Sequence, residues 1–159
     1  MSGEMRGGMR ITAKADYAVR AVLELASSEG RMRTARELAD AQGISQNFLE
    51  NILSELRNAG IVATQRGVEG GYWLARPAEQ ITLAEVMRAL EGPLANVRGH
   101  RPETLAYEGS AKALVELWIA VRASLRTVLE TTTVADLANG TLPEHVRAMT
   151  TDPEAWSSH

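Results

Sequence analysis

Between Thr34 and Gly60 the chain reads TARELADAQGISQNFLENILSELRNAG, two helical segments separated by one glycine-containing turn. Thr34 and Glu37 have the S/T-x-x-E spacing of a capping box, which satisfies orphan amides at a helix start, and Gly43 breaks that helix. Ser45 can cap the next segment. Its Phe48, Leu49, Ile52, Leu53 and Leu56 recur at helical spacing up to Gly60, an apolar stripe along one face. Two helices joined by so tight a turn make a helix-turn-helix.

The flanking segments extend this unit. Upstream, TAKADYAVRAVLELASSEG places Tyr17, Val19, Ala21, Val22, Leu25 and Ala26 at helical spacing, with Thr12 as N-cap and Gly30 beyond the end. Downstream, IVATQRGVEGGYWLARP has β-prone ends around a glycine-rich middle, a two-stranded hairpin closed by Pro77. ITLAEVMRALEG opens on a second capping box, Thr82 and Glu85, and predicts a fourth helix ending at Gly92. Residues 93–110 show no sustained period and predict a long loop. In SAKALVELWIAVRASLRTVLETT, residues 110–132, Leu114, Trp118, Val121, Leu125 and Val128 fall four, three, four and three apart, with Leu117 and Leu129 widening the stripe. That is the pattern of a long amphipathic pairing helix. TVADLANG predicts a short terminal helix and LPEHVRAM one further turn, before a frayed TDPEAWSSH.

Helix, helix-turn-helix and hairpin in this order make a winged helix. The expected fold is mainly α with a small β-hairpin wing: a winged helix-turn-helix plus a long dimerisation helix. The expected divisions are a flexible leader at 1–8, with Met9 an alternative start, a DNA-binding unit at 9–80, a linking helix and loop at 81–109, the dimerisation and short terminal helices at 110–140, and a tail at 141–159.

Composition narrows the function. No window approaches the roughly eighteen apolar residues of a membrane span, and MSGEMRGG lacks a signal peptide's apolar stretch, so a cytoplasmic location is expected. Cysteine is absent, which removes disulfides, thiol catalysis and thiolate-held metals, and the three histidines lack metal-site spacing. Neither a metal nor a cofactor is expected. GVEGG has neither the spacing nor the following helix of a phosphate loop, and no Ser/His/Asp set or HExxH motif occurs, so an enzyme is not expected. Net charge is −3, but residues 9–77 hold nine Lys and Arg against eight Asp and Glu, whereas 78–159 hold seven against eleven. A polyanionic partner belongs to the first half.

The winged helix commonly places its third helix in the major groove and its wing against the backbone or minor groove. Gln46, Asn47, Glu50, Asn51 and Arg57 lie off the apolar stripe; amides can read adenine and a carboxylate can accept from cytosine N4. The alternative reading is a protein-docking winged helix that binds a partner enzyme without specific DNA recognition, favoured by the acidic balance.

MRITAKADYAVRAVLELA, ISQNFLENILSELRNAGIV, RGVEGGYWLARP and ITLAEVMRALEGPL, in this order, resemble the Rrf2 family of winged-helix repressors, including the IscR-, NsrR- and CymR-like regulators, over about residues 9–134. The resemblance implies a homodimeric repressor on a pseudo-palindromic double-stranded DNA operator, the long helix of each subunit crossing the other. It implies DNA contacts from Lys14 and Tyr17, from Ser45, Gln46, Asn47, Phe48, Glu50 and Asn51, and from a wing with Arg66 in the minor groove and Gly67, Gly70 and Gly71 at its tip. Thr34, at the second helix's start, and Arg57 complete the expected DNA-binding set, and Leu114, Leu117, Trp118, Val121, Leu125 and Val128 the expected dimer contacts. Well-known members hold an iron-sulfur cluster with three cysteines in the loop equivalent to 93–110, where this chain offers only His100. The chain looks more like the cysteine-free branch that answers to sulfur or cysteine metabolism through a metabolite or partner protein. Arg98, His100, Arg101 and Tyr107, beside Trp118, are the candidate effector pocket; the alternative is a loop packed on the dimer core.

Overall fold

The computed structural model describes residues 10–159. The expected leader at 1–8 and the alternative start at Met9 lie outside the described residues. Helix α1 spans Ala13–Ala26, α2 Ala35–Gln42 and α3 Gln46–Asn58; the hairpin is β1 Val62–Gln65 and β2 Gly71–Leu74; then follow α4 Leu83–Glu91, α5 Leu114–Leu129, α6 Val134–Ala138 and α7 Glu144–Ala148. This is the winged helix-turn-helix with a long helix behind it.

The caps fall where the hydroxyl residues predict them. Thr12, Thr34, Ser45, Thr82 and Thr133 each accept a backbone N–H from three residues on. Gly43 ends α2 at φ 66°, a left-handed conformation in which a glycine avoids the usual Cβ clash. Two expected capping boxes close only halfway, because their glutamates are taken by arginines. Glu37 accepts from Arg33 at 2.7 Å, and Glu85 from Arg76, instead of returning to the cap amide. The box that closes in full is Thr133 with Asp136.

The core lies where α1, α2 and α3 meet. Val22 and Leu25 of α1 and Leu38 of α2 close on Leu49, Ile52, Leu53 and Leu56 of α3, all essentially inaccessible. Each such side chain contributes roughly 1.5–3 kcal/mol by leaving water. Val62 of β1, Ile81 just before α4, Val86 of α4 and Val134 of α6 extend the core.

The hairpin is antiparallel, with Val62 opposite Leu74 and Gln65 opposite Gly71. A third short segment joins it: Arg33 exchanges backbone bonds of 2.9 and 2.7 Å with Tyr72, so the α1–α2 connection lies along β2. The hairpin reading lacked this strand-like bridge, since one residue is too short for any periodicity.

Beyond α4 the loop contains two single-turn 3-10 segments, Pro102–Thr104 and Gly109–Ala111, and α5 begins at Leu114, four residues later than residue 110. α6 turns back onto the winged helix, where Val134 donates to Ile81 O at 2.8 Å and Leu83 to Thr132 O at 2.9 Å. The C-terminal residues form one further helix and one turn. Val146 of α7 is buried, and Pro153–Trp156 forms a 3-10 turn whose Trp156 indole donates to Thr150 O at 2.7 Å.

Candidate nucleic-acid interface

Burying Leu49, Ile52, Leu53 and Leu56 leaves the opposite face of α3 in solvent. Gln46, Asn47, Glu50, Asn51 and Arg57 are all exposed there. The face is partly preorganised: Gln46 Nε2 donates to Glu50 Oε1 at 3.0 Å, holding the carboxylate on the ridge. Ser45, at the head of this ridge, accepts from the Phe48 amide at 3.1 Å.

Tyr17, Phe48, Lys14 and Thr34, all assigned to DNA from the sequence, also have work inside the protein. The Phe48 ring is half-buried and meets Tyr17 edge to face at 5.8 Å, while the Arg20 guanidinium sits 5.1 Å from the Tyr17 centroid. Both aromatic rings therefore lock α3 against α1. Lys14 reaches Glu55 of α3 at 2.7 Å, so a phosphate must compete with that pair. Thr34 spends its hydroxyl on the Glu37 amide at 3.1 Å.

At the wing tip Arg66, Gly67, Val68 and Glu69 are exposed, and among the described residues Arg66 makes no hydrogen bond or ion pair. The three glycines serve different needs. Gly67 has φ +114°, accessible to few L side chains, and its carbonyl accepts from Gly70 at 3.0 Å to close the tip. A Cβ on Gly70 would lie 2.1 Å from Gln65 O, and one on Gly71 2.9 Å from Arg33 O. The space beside the last two is filled by the protein's own backbone.

Arg33 was missed from sequence and organises this end of the molecule. Its side chain, 18% exposed, meets Glu37 at 2.7 Å and Glu24 at 3.5 Å, while its backbone bridges to β2. The Arg33 guanidinium holds the Glu37 carboxyl below its ordinary value of 4.5. The i,i+4 spacing of Arg33 and Glu37 was the legible signal. Arg31 and Arg36 add exposed cations near the start of α2.

The loop assigned to an effector is arranged otherwise than expected. A cavity of about 400 Å³ opens between the end of α4, the following loop and α5, and of the four residues proposed for it only Arg101 lines it. Val97 and His100 exchange backbone bonds of 2.9 Å each across a tight turn, with Arg98 at φ 50° and Gly99 at φ 78°. Arg98 and His100 are exposed on that turn, and Tyr107, although half-buried, lies beyond the cavity lining. The lining contains Arg88, Arg122 and Arg126 instead.

None of the sixteen residues of α5 is fully buried. Leu114, Trp118, Val121, Leu125 and Val128 are half-buried, Leu117 is 52% exposed and Ile119 37% exposed. The Trp118 indole N–H is buried without an acceptor among the described residues.

A helix-turn-helix core, a polar third-helix ridge and a hairpin with an exposed arginine at its tip define the class of winged-helix transcription regulators. The chain belongs to the Rrf2 family, described as an iron-dependent transcriptional regulator, whose profile matches residues 11–140. A Mycobacterium tuberculosis protein provisionally named an HTH-type transcriptional regulator is 49% identical over 151 residues, 94% of each chain. The transcriptional regulator CymR of Bacillus subtilis is 39% identical over 84% of this chain and 92% of its own length. The structure of that protein, called the global cysteine regulator of B. subtilis, matches with a TM-score of 0.70 at 38% identity, covering 84% of this chain and 99% of the other.

The iron in the family's description finds no matching donors among the described residues. Cysteine is absent from the whole sequence, His100 stands exposed on its turn, and no group of three His, Asp or Glu suited to a metal occurs among the described residues. The residues present do not fit a thiolate-held cluster.

Proposed function

We propose that this regulator is a homodimeric repressor that binds a pseudo-palindromic operator through α3 and the wing of each subunit. The observation that carries this reading is the exposed ridge of Gln46, Asn47, Glu50, Asn51 and Arg57 beside a wing whose Arg66 has no partner among the described residues. Amides and a carboxylate at the ridge suit base edges, and a free guanidinium suits the negative potential of a narrow minor groove. Arg57, Arg31 and Arg36 supply additional charge toward phosphates.

Dimerisation is assigned to α5. Leu117 exposes apolar surface on a helix with no fully buried residue, and a second α5 crossing the first would cover it. The signal is assigned to sulfur or cysteine metabolism, received from a metabolite or partner protein instead of a cluster. Likeness to a regulator called the global cysteine regulator and the absence of cysteine ligands support this assignment.

Footprinting of the DNA upstream of the chain's own gene tests the proposal. Two protected half-sites about one helical turn, or a multiple of it, apart are expected for a symmetric dimer. Uniform weak protection of any sequence would contradict it.

A further inference from the structure

We propose that the cavity between α4 and α5 binds a small oxyanion of about two negative charges, a dicarboxylate or a phosphate- or sulfate-bearing metabolite. Four arginines line it: Arg88 from α4, Arg101 from the loop, and Arg122 and Arg126 from α5. Two carboxylates oppose them. Glu103 accepts from Arg122 at 2.6 Å, and Glu130 accepts from Arg88 and lies 3.8 Å from Arg126. Two positive charges therefore remain in excess, and Arg101 makes no side-chain hydrogen bond or ion pair among the described residues.

Ordinary surface arginines point into water and are neutralised by whatever ions pass. Here the Arg122 side chain is 15% exposed, against 36% for Arg88 and 46% for Arg126, so the cavity is shielded at its floor and open at its mouth, and Pro93 and Leu94 supply apolar wall. A volume of about 400 Å³ falls within the range of small-ligand sites. Planar guanidinium forks match carboxylate and phosphate oxygens in pairs, which a halide cannot reproduce. The cavity spans α4, packed on α1 of the winged helix, and α5, assigned to pairing, so its occupant would touch both parts. The binding claim itself does not depend on operator recognition.

The test is calorimetric titration of the full chain with inorganic phosphate, sulfate and succinate in turn, ionic strength being balanced with sodium chloride. Saturable binding of at least one of the three is expected, with affinity reduced at least about tenfold by Arg101→Ala and by Arg126→Ala. Phosphate or sulfate binding without succinate would assign the tetrahedral oxyanion, and the reverse would assign the dicarboxylate. Heats no larger than those of chloride, or binding indifferent to both substitutions, would overturn the proposal. Operator binding by the wild-type chain beside failed anion titrations would sink this inference and leave the repressor reading standing.

Discussion

Glu50 and Phe48 stand two positions apart on α3 and do different things. Glu50 is exposed and held by Gln46, so removing its carboxylate changes what the ridge can accept from DNA without opening the core. We expect Glu50→Ala to alter base preference at one position of each half-site, by about 1–3 kcal/mol of discrimination, with an unchanged melting temperature. Competition binding against a randomised operator library reads this out; a uniform change across all sequences would oppose it. Phe48→Ala should do the converse, since it removes the Tyr17 contact: a loss of about 2–4 kcal/mol of stability in urea titration, with base preference retained. The polar ridge was legible because the apolar stripe of α3 defines its opposite face. Phe48's inward role was also present in that stripe, but family likeness assigned it to DNA as well. Of the arginine partners that open the two half-formed boxes, Arg33 was legible through its i,i+4 spacing to Glu37, whereas Arg76 was not, because it meets Glu85 only across the turn at Ala78–Gln80.

At the scale of elements the wing depends on backbone packing more than on side chains. Gly70→Ala would drive a methyl into the Gln65 carbonyl, at a position that the helical core does not touch. The expected result is at least about tenfold weaker operator binding with helical circular dichroism retained, as one groove contact of about 1.4 kcal/mol or more is lost. Unchanged affinity would remove the wing from the interface. The glycine cluster announced a turn in the sequence, yet its second and third glycines answer to Gln65 and Arg33, contacts that only the folded register creates.

The helix α5 is tied to its surroundings by charge. Arg88 holds the Glu130 carboxyl below its ordinary value of 4.5, with Arg126 adding to the effect; at Glu103 the lowering comes first from a backbone hydrogen bond and then from Arg122. Both folded values lie below the unfolded ones, so the unfolded chain binds more protons in between. The stabilisation is complete above about pH 4.5 and is lost as the pH falls through the lowered values. Glu130→Gln should therefore flatten the acid limb of melting temperature against pH relative to wild type. An identical limb would show that the carboxylate is unlinked to folding. Both acids are solvent-exposed, which keeps the effect small.

For the whole molecule, the stripe of α5 was legible as a period of three and four, and what covers its exposed side was not, since a second copy has no signature of its own in one chain. Leu117→Arg places a charge on the half-exposed apolar face. Sedimentation velocity should show monomers at micromolar concentration, and operator affinity should fall steeply with the loss of two-site binding. A dimer that survives Leu117→Arg would put the pairing surface elsewhere. The loop at 93–113 was the least legible region. Arg98 and His100 are set outward by the left-handed turn at 98–99, while Arg88, Arg122 and Arg126 converge from helices on either side of the loop.

The most direct test of the central claim is fluorescence anisotropy of the full chain on its footprinted operator and on a scrambled duplex, titrated from low to moderate salt, for wild type and Arg66→Ala. We expect at least about a thousandfold preference for the operator at physiological salt, affinity falling with salt, and a shallower salt slope with weaker binding for Arg66→Ala. Equal affinity for both duplexes, or an Arg66→Ala variant indistinguishable from wild type, would contradict it.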